Sequence, residues 1–94
     1  MLTIDAKLSI KPHVHARAFD DEFVIVDLDR GEYYGLDEVG SEAWKRLASG
    51  LTVGQTVNEL AEIYDVEVAV LREDLLALGN EWIRLGLVQP EAGP

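Results

Sequence analysis

His13 and His15, two apart in "HVHARAF", are the residues best spaced to share a chemical task, because alternate side chains of a strand leave the same face. A metal held there needs three or four ligands in a set geometry. The nearest acids, Asp20, Asp21 and Glu22, fall in an expected turn, where solvated charge is ordinary. Both histidines therefore read as edge-strand polarity, and no metal is expected. A calcium loop is the second candidate, with Asp27, Asp29 and Glu38 at its first, third and twelfth positions. That loop requires glycine at the sixth position, where Glu32 stands. The spacing of Gly31, Gly35 and Gly40 fits neither a dinucleotide fingerprint nor a phosphate loop. Ser41 lies near an expected helix start, and a nucleophile there would have only His13 or His15 as its base. Glu73 and Asp74 read as a solvated helix face. Nothing in this set makes a catalytic constellation, so the chain reads as a non-enzyme without a cofactor.

Recognition remains, and it centres on "EYYGL", where Tyr33 and Tyr34 stand side by side. The elements that hold them follow from patterning. "HVHARAF", "EFVIVDL" and "EYYGL" are strand-like runs, separated by Asp20-Asp21 and by Asp29-Arg30-Gly31, and they predict a three-stranded antiparallel meander. A period of two places Val24, Val26 and Leu28 on one face, joined across the hairpin by Tyr34 and Leu36, with Tyr33 turned the other way. From Asp37 the period becomes helical. Asp37 is a good N-cap, and Val39, Ala43, Trp44 and Leu47 form a stripe that Gly50 ends. Thr52 and Gln55 form a capping box for a second helix with Val53, Val57, Leu60, Ala61 and Tyr64 on one side. A third, longer helix starts near residues 65–67 and carries Leu71, Leu75, Leu78, Trp82 and Leu85. Gly86 ends it. The fold class is α+β: a three-stranded antiparallel β-meander followed by three α-helices, resembling a winged helix-turn-helix.

Ninety-four residues make one domain. Residues 1–12 read as an extended N-terminal arm, 13–88 as the domain, and 89–94 as a disordered-looking C-terminal tail. Cysteine is absent, which removes disulfides and thiolate metal sites and fits a reducing cytoplasm. The start, "MLTIDAKLSIKPH", has no long apolar run, so neither a secretion signal nor a membrane span is expected. Net charge is −10, from eighteen acids and eight bases. Nucleic acid binding draws its non-specific affinity from cations placed on phosphates, so no nucleic acid partner is expected. A winged-helix DNA-binding regulator remains the rival reading of the helix arrangement.

The last strand of a meander has an edge of unpaired backbone donors and acceptors. Natural edges are commonly blunted by lysine or proline, and "EYYGL" has neither. If the third helix packs alongside, an extended peptide can add there as a fourth strand, its alternate side chains entering pockets between strand and helix. Two other readings stand beside this one. The tyrosines simply pack, or the same edge pairs with a second copy of the chain.

"GEYYGLDEVGSEAWKRL", then "TVGQTVNELAEIYDVE", then a long helix ending "WIRLGLV", resembles the pyrroloquinoline-quinone biosynthesis D (PqqD-like) family over about residues 13–88. These are recognition domains for ribosomally made, post-translationally modified peptides. The chain is most similar to the free-standing versions of lasso-peptide pathways. The resemblance implies a winged-helix-like fold that captures the leader of a precursor peptide as an antiparallel strand on its third strand, in the groove with the third helix. It implies presentation to a separate leader peptidase, with an ATP-dependent cyclase acting on the freed core. Carried over, the peptide-binding edge is Glu32, Tyr33, Tyr34, Gly35 and Leu36, and the helix wall is Val70, Leu71, Asp74 and Leu78. The family's common amide at the first helix cap is Asp37 here, which keeps the capping function. Another pathway of the same peptide class is the alternative.

Overall fold

The computed structural model describes residues 2–91. Its order is β1 (Leu8–Ile10), β2 (Val14–Phe19), β3 (Glu22–Asp27), β4 (Glu32–Gly35), α1 (Glu38–Ala48), α2 (Val53–Tyr64), α3 (Val68–Arg84) and β5 (Val88–Pro90). The expected meander is the sheet β2-β3-β4, antiparallel throughout. The arm does not join it. β1 instead pairs antiparallel with β5, Leu8 opposite Pro90 and Ile10 opposite Val88. The stretch expected as a disordered-looking tail thus begins as a strand, while residues 92–94 lie outside the described residues.

Local chemistry accounts for the breaks. Asp20 takes φ 56 in the β2–β3 turn, a left-handed conformation that aspartate tolerates better than most side chains. In the β3–β4 loop, Asp27 is buried, and its Oδ1 accepts from the N–H groups of Asp29 (3.0 Å) and Arg30 (3.1 Å). Gly31 closes that loop at φ 68, where a side chain would be strained. Asp37 caps α1 by accepting from the Gly40 N–H at 2.7 Å. Thr52 and Gln55 form the full capping box of α2, with both reciprocal bonds present.

The core lies between the meander and the helices. Ile25, Ala43, Trp44, Leu47, Val53, Val57, Leu60, Leu71, Leu75 and Trp82 are buried in it. Trp44 and Trp82 meet edge to face with centroids 5.0 Å apart, a favoured aromatic geometry. Leu2 and Leu8 of the arm and Leu87 and Val88 beyond α3 belong to the same core.

One expectation about the sheet is corrected. Ile25 lies opposite Tyr34 and Val26 opposite Tyr33. The core face is therefore Phe23, Ile25 and Asp27 with Tyr34, while Val24, Val26 and Leu28 share the outer face with Tyr33. Leu28 is 62% exposed and Tyr33 72%. The run "FVIVDL" is apolar at almost every position, so alternation alone does not choose its buried side.

Candidate functional site

The open edge belongs to β4, which has β3 on one side and no strand on the other among the described residues. The Leu36 N–H donates to the Phe23 carbonyl at 2.8 Å, so residues 32, 34 and 36 bond inward. Antiparallel alternation then turns the N–H and C=O of Tyr33 and Gly35 outward. A Cβ built on Gly35 meets nothing within 4 Å.

Two close approaches tie α3 to the two ends of β4, in the reverse order of the chain. A Cβ on Gly40 would lie 3.6 Å from the Leu36 Cβ and 3.9 Å from Leu78 Cδ2, which brings the end of β4, the start of α1 and the middle of α3 to one point. At the far end, a Cβ on Gly86 would lie 4.0 Å from Arg30 Nη2, so the β3–β4 loop sits by the C-terminus of α3. Beyond the Leu36 end, and adjoining it through Gly40, lies a cleft of about 360 Å³ lined by Asp37, Val39, Gly40, Tyr64, Val66, Leu71, Asp74, Leu75 and Leu78.

The residues named from the sequence separate into roles. Leu71, Asp74 and Leu78 come together in the cleft, Leu71 from the core and Asp74 from an exposed position. Val70, 48% exposed, lies one turn before Asp74 and outside the lining. Leu36 is half-buried at the junction. Tyr34 is half-buried, and its hydroxyl donates to the Glu32 carboxylate. That hydrogen bond, ahead of burial, raises the phenol above its ordinary 10.0. Tyr33 offers the edge its backbone, while its ring stands on the outer face. Asp37, Tyr64 and Val66 also line the cleft, although no sequence pattern marks them as site residues. They meet at the cleft through packing of the α2–α3 turn against the start of α1, which no local pattern reports.

Burial, and after it the Glu38 carboxylate, push the Tyr64 hydroxyl up to about 12. The outer sheet face has its own hollow of about 500 Å³, lined by Arg17, Phe19, Val24, Val26, Leu28 and Tyr33. His13 has Nε2 3.7 Å from Asp27 Oδ1 and Nδ1 3.6 Å from Asp29 Oδ2. Among the described residues no group of three histidines or carboxylates is placed to hold a metal, and no helix is long and apolar enough to cross a membrane.

Fold and site together define a winged-helix-like α+β domain with an open strand edge beside a long helix. The chain belongs to the PqqD family: the model described as coenzyme PQQ synthesis protein D (PqqD) matches residues 22–88. A solved structure described as TbiB1 in complex with the TbiA(beta) leader peptide is similar with a TM-score of 0.83 and 29% identity, over 90% of this chain and 99% of that one. A second, lasso peptide synthetase B1 complexed with the leader peptide, is similar in fold, with a TM-score of 0.83 and 24% identity over 89% of this chain and 99% of that one. No curated protein matches the chain by sequence.

Proposed function

We propose that the chain binds the leader segment of a ribosomally synthesised precursor peptide by strand addition to β4, in the groove with α3. It delivers that peptide to a separate leader peptidase of a lasso-peptide pathway, with the ATP-dependent cyclase acting afterwards, and has no catalysis of its own. One observation carries the reading: the arm pairs with β5, which leaves the outward donors and acceptors of Tyr33 and Gly35 without a strand partner among the described residues. Backbone pairing there supplies affinity, and the cleft at Leu71, Asp74 and Leu78 supplies side-chain selection. Family membership and the leader peptides bound to the two similar structures point to the same ligand class. Delivery needs a further contact surface. The outer sheet face supports one, with Phe19 60%, Leu28 62% and Tyr33 72% exposed, on the side of the sheet away from the core. Such exposed apolar patches mark protein contacts. The DNA-binding reading lacks its electrostatic footprint, since the chain carries −10 and only two bases after Arg46.

The test is selection from a displayed library of random dodecapeptides, followed by amide NMR of the enriched peptides with the labelled protein. Enriched peptides are expected to shift and protect the Tyr33 and Gly35 amides. Binding that leaves both amides unmoved, or no enrichment at all, sinks the groove.

A further inference from the structure

The cleft at the Leu36 end of the groove has an uneven chemistry. Its walls are apolar at Val39, Val66, Leu71 and Leu78, while its two charged residues, Asp37 and Asp74, are both carboxylates. No lysine, arginine or histidine lines it, and none of the ion pairs among the described residues uses either acid. We propose that this cleft is a subsite for a lysine or arginine of the bound peptide, with the aliphatic stem on Leu71, Leu78 and Val66 and the charge between Asp37 and Asp74. The assignment rests on the peptide-groove reading and adds the chemistry of one ligand position to it.

A purely apolar occupant would strip water from two carboxylates and offer nothing in return, whereas a long cationic side chain lays its methylenes on apolar surface and keeps its head polar. The local field is negative beyond these two acids. Glu38 follows Asp37 in the chain and, after burial, helps hold the neighbouring Tyr64 hydroxyl up to about 12. The opposite end of the groove differs, since Arg30 sits near the end of α3, whose last residue, Arg84, is itself paired with Glu81. A strand added antiparallel to β4 has its N-terminal side at Leu36, so the cation lies N-terminal to the paired segment. The Arg30 guanidinium at the other end favours that direction over the reverse.

The experiment repeats the random dodecapeptide selection on the wild-type chain and on the double variant Asp37→Asn/Asp74→Asn. Asparagine caps a helix as well as aspartate does, and Asp74 is exposed, so the double variant removes charge and keeps the fold. Wild-type protein is expected to enrich peptides with lysine or arginine on the N-terminal side of an alternating apolar segment. The variant is expected to enrich the same apolar segment without the cation. A wild-type-selected peptide should bind the variant about three- to tenfold more weakly at low salt, with the difference closing as salt screens the pair. Equal cation frequencies from the two selections, or wild-type-selected peptides without a cation that still shift the Tyr33 and Gly35 amides, overturn the subsite and leave the groove intact. Peptides that leave those amides unmoved overturn both.

Discussion

Phe23 and Leu36 close the last rung of the β3–β4 ladder in two different ways. The Leu36 N–H donates directly to the Phe23 carbonyl at 2.8 Å. On the return side the Phe23 N–H donates to Ser41 Oγ at 2.7 Å, and that hydroxyl in turn lies 3.4 Å from the Leu36 carbonyl. A helix residue is thus inserted into the sheet, and the chain leaves β4 for α1 where its hydroxyl spreads the rung. Ser41 is buried, so removing its oxygen leaves the Phe23 donor without a partner. Ser41→Ala should lose about 1–3 kcal/mol of stability. Urea denaturation measures the loss, and the Phe23 amide should exchange faster with solvent.

Tyr33 provides a sharper test of the edge than truncation does, because its N–H points away from β3. Proline is tolerated on an edge strand when its missing N–H faces solvent. Tyr33→Pro should therefore keep the fold while abolishing peptide binding at β4. Tyr33→Ser removes the ring from the outer face and should change stability by no more than about 0.5 kcal/mol, with groove affinity nearly unchanged. Titrating one selected peptide against both variants, beside their melting curves, separates backbone from side chain. A proline variant that binds normally would rule out strand addition at this edge.

What the sequence made legible was local. Asp37, Thr52 and Gln55 cap the helices they were expected to cap, because capping is decided within four residues. The stripe Leu71, Leu75 and Trp82 is core for the same kind of reason, its spacing being that of one helix face. The open edge follows from the strand order β2-β3-β4 and is present among the described residues. Hidden features depended on distant pairings. Leu8 meets Pro90 from the other end of the chain, and the face of Tyr34 is set by its register with Ile25. Ser41 read as an ordinary helix residue, since its partner Phe23 is two strands back. The cleft acids were half legible: Asp37 was visible as a cap and Asp74 as helix wall, but their meeting needs the packed turn between α2 and α3.

Gly79 sits in the middle of α3, where glycine costs about 1 kcal/mol relative to alanine. A Cβ there would lie 2.5 Å from Leu2 Cδ2, so the arm packs against the bare helix backbone. Leu2 is buried, and Leu2→Ala should cost about 2–3 kcal/mol. Gly79→Ala alone gains helix propensity but displaces Leu2. Together the two changes should cost less than their sum, because alanine at 79 fills part of the space the leucine leaves. A double-mutant cycle by chemical denaturation reads this coupling, expected at about 0.5–1.5 kcal/mol. Simple additivity would mean that Leu2 and Gly79 do not share the contact.

Acid sensitivity should trace in part to Glu42. Lys45 and Arg46 donate to its carboxylate, Lys45 at 2.7 Å and Arg46 at 2.8 Å, and hold it below its ordinary 4.5. Arg46 also reaches Glu59 at 2.9 Å, which ties α1 to α2. A carboxylate depressed in the folded state binds protons more readily when the chain is unfolded. Its contribution is therefore fully present above pH 4.5 and is lost as pH falls through the lower folded value. Glu42→Gln should lower stability at neutral pH, and the gap from wild type should shrink as pH drops below 4.5. The partly solvated setting keeps the effect small, on the order of 1 kcal/mol or less. Melting curves for both proteins between neutral pH and about pH 3 measure it, and a gap that widens with acid would reverse the sign assigned here.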